Sequence, residues 1–235
     1  MKTIGLLGGM SWESTQTYYK LINEGVRERA GGLHSASLAM VSLDFQPLAD
    51  FQAEGNWDAI RDELVSAATQ VQAAGADCLL IGTNTMHKLA DEVEAALHIP
   101  LIHIADATGA ALVAKGIQQV GLLGTAFTME QDFYRQRLAD KFGLEVLIPT
   151  AEQRAEVHRV IYQELCQGKV LESSRASYLA VMDSLVERGA QGVILGCTEI
   201  GLLVKPQHTG IPLFDTAAIH AAAAVDFAFS TSGCA

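Results

Sequence analysis

The chain has no run of Lys or Arg, and 16 basic residues against 27 acidic ones leave a formal net charge of −11 and a pI near 5.0. A protein of that balance carries no electrostatic footprint for nucleic acid, and an anionic substrate has to be met by local donors against the overall field. Apolar stretches of membrane-spanning length are missing too. The opening Met1-Lys-Thr-Ile-Gly-Leu-Leu-Gly-Gly-Met10 is too short and glycine-rich for a signal peptide, and it runs at once into Ser11, Glu13 and Ser14. The apolar tail from Ala221 to Phe229 is interrupted by Asp226 and reads as a packed terminal helix. A soluble, cytoplasmic protein with no membrane partner is expected.

Cysteine is sparse, with four residues, Cys78, Cys166, Cys197 and Cys234, and no C-x-x-C pair. In a reducing cytosol these are thiols, and the default for each is an inert, buried side chain. No H-E-x-x-H or Cys/His ligand pair suggests a metal, and Gly5-Leu-Leu-Gly-Gly9 has neither the dinucleotide nor the Walker spacing. No metal and no cofactor is expected on these grounds.

What the sequence does hold is an apolar core fraction of 49% in 235 residues, and a repeat. Ala74-Gly-Ala-Asp-Cys-Leu-Leu-Ile-Gly-Thr-Asn-Thr85 aligns with Arg188-Gly-Ala-Gln-Gly-Val-Ile-Leu-Gly-Cys-Thr-Glu199, so Gly75 and Gly82 recur as Gly189 and Gly196 at a separation of 114 in both cases (189 minus 75, 196 minus 82). Thr3-Ile-Gly-Leu-Leu-Gly8 recurs as Gln119-Val-Gly-Leu-Leu-Gly124, and Ile99-Pro-Leu101 as Ile211-Pro-Leu213. Three matches in one order at nearly one offset point to a tandem duplication of a four-strand parallel βα unit, an α/β fold of two pseudo-symmetric halves.

Short apolar runs such as Val193 to Leu195, bounded by turn residues, read as buried parallel strands. Around them Ser11 caps a first helix carrying Tyr18, Leu21, Ile22 and Val26, Ser37 to Phe45 is a strand, and Gln46 to Asn56 is a loop. Trp57, Ile60, Leu64, Ala67 and Val71 mark an amphipathic helix, Met86 to Leu97 a short one, and Leu101 to Ile104 a fourth strand.

Open α/β sheets place chemistry just past the carboxyl ends of their strands. Of the four cysteines only Cys197 stands where a strand hands over to a helix, opposite Thr83 in the repeat. A pseudo-twofold would bring the two loops to one substrate in a cleft; two independent domains whose loops never meet is the alternative. Gly82-Thr-Asn-Thr85 and Gly196-Cys-Thr-Glu199 each open a helix, so backbone N–H groups and the positive dipole end can hold a carboxylate and should lower the Cys197 thiol from its ordinary value of about 8.5. A thiolate there can attack a carbonyl or remove a proton from carbon, and donor-rich loops with no His near Cys197 in sequence suit the second. Met10 and Ser11 after the first strand and Thr125 after its counterpart would line the same edge, or serve simply as turn and cap residues.

Through Gly5-Leu-Leu-Gly-Gly-Met-Ser11, Asn84-Thr85-Met86-His87, Gly124-Thr125 with Thr128-Met129, and Gly196-Cys-Thr-Glu199, the chain resembles the aspartate/glutamate racemase superfamily over nearly its full length. It is most similar to the broad-specificity or L-aspartate/glutamate-specific branch. The resemblance implies a cofactor-independent racemase, usually a homodimer, acting on a small amino acid. It also implies a last helix that packs back on the first, dividing the chain into residues 1–101 with 212–235 and residues 102–211. In such enzymes a cysteine from each half flanks the α-carbon. Cys197 is one of them; the other position holds Thr83, in Thr83-Asn84-Thr85 where the family pattern is Cys-Asn-Thr. Gln52 stands where typical aspartate racemases are expected to carry an arginine. Asn84, Thr85, Thr198 and Glu199 complete the implied binding set.

A neutral alcohol is a poor base, so three readings stand: a racemase with unequal halves, which is favoured; a one-cysteine lyase, decarboxylase or cis-trans isomerase of the same superfamily; and an amino-acid-binding protein without activity.

Overall fold

The structure, a computed structural model, describes residues 1–230. Cys234 lies outside the described residues. Two compact units partition the chain: Met1–His103 together with the residues from His220 onward, and Ile104–Ile219.

In the first unit the order is β1 (Ile4–Gly8), α1 (Trp12–Ala30), β2 (Leu38–Ser42), α2 (Phe45–Glu54), α3 (Trp57–Ala73), β3 (Cys78–Ile81), a 3-10 turn Thr85–Leu89 and α4 (Ala90–Ala95). The strands form a parallel sheet in the order β2-β1-β3, with Leu7 level with Ile81. The expected fourth strand contracts to a single parallel bridge between Leu79 and Leu101, made by Leu79 N–H to the Pro100 carbonyl and Ile102 N–H to the Leu79 carbonyl, both 2.9 Å. Pro100 has no N–H to extend the ladder, and the next helix begins at Ile104. Ile60, Leu64, Ala67, Ala68 and Val71 of α3 are buried against Leu7, Leu79 and Ile81, as the spacing predicts. Each buried leucine or isoleucine contributes about 1.5–3 kcal/mol.

The segment expected as a loop at 46–56 is in fact the helix α2. Asp44 caps it by accepting from Gln46 N–H, Pro47 falls in its first turn, and Gly55 ends it in the left-handed conformation. The helix buries only Leu48 and Gln52, which leaves too thin an apolar stripe to read.

The second unit runs α5 (Ile104–Ala114), β4 (Gln119–Gly124), α6 (Ala126–Glu130), α7 (Asp132–Phe142), β5 (Glu145–Leu147), α8 (Ala151–Gln163), a 3-10 turn Leu165–Gln167, α9 (Glu172–Glu187), β6 (Val193–Gly196), α10 (Ile200–Leu203), a 3-10 turn Pro206–His208, β7 (Leu213–Asp215) and the start of α11 (Thr216–Phe229). Its parallel sheet has the order β5-β4-β6-β7. That is the order of the first sheet with the fourth strand complete, so the duplication read from glycine spacing is a duplication of topology. Because β7 pairs with β6 through Val193–Leu213 and Leu195–Asp215, residues 213–215 belong here. The return to the first unit therefore comes at His220, not at 212 as expected.

Each unit has its own apolar core. Among the described residues no helix is long and apolar enough to cross a membrane.

Candidate active site

Register puts the ends of β1 and β3 side by side, so the residues after Gly8 and after Ile81 share one end of the first sheet. Gly9 turns the chain there at φ +91, with no room for a Cβ against the Leu43 backbone. Ser11 caps α1 through Ser14 N–H (3.2 Å), and the Thr15 hydroxyl takes Gly9 N–H (2.7 Å) while donating to the Ser11 carbonyl (2.9 Å). Ser14 Oγ donates to the Gly82 carbonyl at 3.0 Å, tying the start of α1 to the loop after β3.

That loop holds Thr83, half-buried, followed by buried Asn84 and Thr85. Met10 and Gln52 are buried in the same unit, and the Gln52 amide reaches the Met86 sulfur at 3.7 Å. The structure thus gathers Ser11, Thr83, Asn84 and Thr85 at one sheet end and places Met10 and Gln52 in the unit's interior. Among the residues sequence reasoning did not assign there, His87 accompanies them: it is 3% exposed and bonds the Thr83 carbonyl through Nδ1 at 2.8 Å.

In the second unit the ends of β4 and β6 meet so closely that a Cβ on Gly124 would stand 2.9 Å from the Gly196 carbonyl, and one on Gly196 2.8 Å from the Leu123 carbonyl. Only glycine permits this approach. Thr125 follows β4, caps α6 through Thr128 N–H (3.3 Å) and contacts the Thr128 hydroxyl (3.2 Å). After β6 comes Cys197, 8% exposed, whose Sγ donates to Glu199 Oε2 at 2.9 Å. Thr198 donates to the same oxygen at 2.8 Å, and Cys166 Sγ donates to Glu199 Oε1 at 3.8 Å. Glu199 is 2% exposed, so this carboxylate is a buried acceptor facing two thiols and a hydroxyl.

These neighbours reverse the expectation of an acidified thiol. Cys197 is pushed well above the ordinary thiol value, first by burial, then by the adjacent Glu199 charge, by Cys166 and by the hydrogen bond its thiol gives Glu199; the Glu199 backbone N–H opposes this only in part. The helix that was to supply the dipole, α10, has just four residues. Cys197 therefore rests as a thiol beside a proton acceptor.

Cys166, expected as inert core, instead completes a row with His158 and Tyr162 at steps of four along α8 and the turn behind it. His158 and Tyr162 rings lie 4.7 Å apart, and His158 Nδ1 accepts the Ala126 N–H next to Thr125 (3.1 Å), which places its proton on Nε2. Burial holds His158 below its ordinary value and so keeps it neutral. Tyr162 is pushed up by burial and then by Cys197, Cys166 and Glu199. The spacing of four was the available signal, but nothing local says that this face of α8 meets the loop after β6. Asp215, at the end of β7, is likewise raised by burial, with Ala218 and Ala217 N–H groups opposing. Cys78 fits the expectation of an inert thiol: it is fully buried in β3 and burial raises it to about 11.

Two parallel sheets of like strand order define an α/β protein of duplicated topology, with a thiol–carboxylate pair after one strand and a threonine after the equivalent one. Residues 7–224 match the family described as Asp/Glu/Hydantoin racemase, and the chain belongs to that family. It is 50% identical to a candidate Asp/Glu racemase of solved structure from Yersinia pestis, covering 98% of this chain and 100% of that one at a TM-score of 0.90. An aspartate racemase homologue from Pyrococcus horikoshii OT3 is 34% identical over 98% and 100% of the two chains, with a TM-score of 0.85. The broad specificity amino-acid racemase RacX of Bacillus subtilis (strain 168) is 23% identical over 217 residues, 92% of this chain and 93% of its own.

Proposed function

We propose that this protein is an amino-acid racemase acting on aspartate, glutamate or a related L-amino acid, and that it moves the α-proton with its own side chains and no cofactor. The observation that carries the reading is the buried Cys197 thiol 2.9 Å from Glu199. The thiol passes its proton to Glu199, and the thiolate so formed removes the α-proton from the L-face, regenerating S–H. The carbanion takes a proton from the Thr83 hydroxyl on the other face, the Thr83 oxygen recovers one from water, and the hydroxide left takes the proton held by Glu199, so that carboxylate and water are both restored. Each proton leaves one named atom and reaches another, and no electron pair is lost.

Hydroxyl, amide and backbone donors at the strand ends, including Ser11, Asn84, Thr85 and Thr125, suit the substrate carboxylate and the charge that grows on it in the transition state. Gln52, an amide where a guanidinium is expected, supports a site tolerant of the distal group.

The test is α-proton exchange of L-aspartate and L-glutamate in D2O followed by proton NMR, without added cofactor, on the native protein and on Cys197→Ser. Exchange in the native protein, reduced by roughly 10²–10⁴-fold in the variant with binding kept within about threefold, is the expected result. Near-native exchange in Cys197→Ser would remove the thiol from the mechanism.

A further inference from the structure

We propose that His87 is the positioning residue for Thr83, holding the threonine's backbone so that its hydroxyl meets one face of the α-carbon. This deepens the racemase reading and rests on its assignment of Thr83.

Thr83 is itself a weakly equipped group. Its side chain is short, it is only half-buried, and it sits at a strand end where the ladder has stopped. Four bonds hold the backbone around it. Gly82 N–H reaches the Leu7 carbonyl (2.8 Å), Thr83 N–H reaches the Ile81 carbonyl (2.8 Å), Ser14 Oγ donates to the Gly82 carbonyl (3.0 Å), and His87 Nδ1 lies 2.8 Å from the Thr83 carbonyl. Of these, the last alone bears on Thr83's own carbonyl, and it comes from a side chain. Because a carbonyl can only accept, Nδ1 carries the proton, which fixes the tautomer of His87. The backbone N–H of His87 is bonded to the Asn84 carbonyl (3.1 Å), in the tight geometry of the 3-10 turn, and the ring reaches one residue further back.

The imidazole is in turn held on its flanks. His103 packs edge-on at 4.6 Å between ring centroids, and His220 at 5.8 Å. His220 is bound at both nitrogens: Nε2–H donates to the Ile102 carbonyl (2.5 Å) and Nδ1 accepts from the Tyr18 hydroxyl (2.9 Å). All three rings are buried, His220 completely. Orientation is therefore passed from the α1 and α11 side chains through His220 to His87, and from His87 to Thr83. A thiol is larger and more polarisable than a hydroxyl and reaches further, so an alcohol in its place depends more strongly on placement, and a misplacement of about 1 Å costs about 10²-fold in a proton-transfer step.

Racemisation from the L-form needs both faces, whereas α-proton exchange by return to the same face needs only Cys197. Their ratio separates local misplacement of Thr83 from general damage. The experiment measures both rates for L-aspartate or L-glutamate in D2O, by NMR and chiral chromatography, on native protein, His87→Leu, His87→Asn and Thr83→Ala. Leucine removes the bond at similar volume; asparagine puts an amide N–H where Nδ1–H stood. His87→Leu is expected to lose racemisation about tenfold or more while exchange falls no more than about threefold, and His87→Asn to restore racemisation to within about threefold of native. Parallel loss of both rates in His87→Leu, loss of neither, or failure of asparagine to restore racemisation would each overturn the role of His87. Native racemisation in Thr83→Ala would instead overturn the assignment of Thr83, whatever the His87 variants do.

Discussion

Replacing Glu199 by Gln keeps the side chain's size and removes the negative charge that stands 2.9 Å from the Cys197 sulfur. In the native protein that charge is the second cause, after burial, of the raised thiol value. Two unit charges 2.9 Å apart repel by about 1.4 kcal/mol in a water-like medium and about 6 kcal/mol at an effective dielectric of 20. About 1.4 kcal/mol is a tenfold change in an equilibrium, so the lower bound alone raises the thiolate fraction at neutral pH about tenfold. The assay is alkylation of Cys197 by iodoacetamide across pH 6 to 10, with the Cys197 peptide followed by mass spectrometry so that Cys166 does not confuse the reading. Alkylation at neutral pH should be at least about tenfold faster in Glu199→Gln, with its pH midpoint moved down. Turnover should move the opposite way, falling by roughly 10²–10⁴-fold, because a more ionised thiol without its proton acceptor cannot cycle. Equal or slower alkylation in the variant would refute the reasoning that Glu199 holds the thiol protonated, and unchanged turnover would leave the carboxylate as a spectator.

Thr83→Cys restores a thiol on the second face and should raise α-exchange from D-aspartate or D-glutamate by roughly 10²-fold, measured by NMR in D2O; no rise would mean that Thr83 does not face the D-substrate. His220, held by burial at about 4, binds a proton more weakly folded than unfolded, so its contribution is complete above about pH 6.5 and is lost as pH falls toward 4. That amounts to about 3 kcal/mol, and His220→Gln, which cannot titrate, should show a flatter fall of Tm between pH 7 and 4.5; an unchanged slope would assign the acid sensitivity elsewhere.

The duplication was legible because glycines punctuate both halves at one spacing, and the packing explains why: Gly124 and Gly196 stand where two strand ends approach too closely for any Cβ. Cys197 was legible for a similar reason, being the cysteine at such an end. Its protonation state was not. The position suggested a helix dipole, and the Glu199 two residues on was visible in Cys-Thr-Glu, but whether its carboxylate turns toward the sulfur or away is a rotamer set by packing. The helix α2 was missed for want of an apolar stripe, although Asp44, Pro47 and Gly55 were a readable set of start and stop signals. Cys166, His158 and Tyr162 share a helix face in the sequence; that this face meets the Cys197 loop is a long-range fact no local pattern carries. His87 belonged to a recognised motif, yet its bond to the Thr83 carbonyl depends on the 3-10 turn after β3.

The proposed inequality of the two faces is tested most directly by following the α-proton of each enantiomer of aspartate and of glutamate in D2O with the native protein, alongside the appearance of the opposite enantiomer. The proposal that the thiol serves one face and the alcohol the other predicts fast exchange from the L-form that outruns racemisation, with much slower exchange from the D-form. Equal exchange rates from the two enantiomers would show a second base on the Thr83 face and contradict the account.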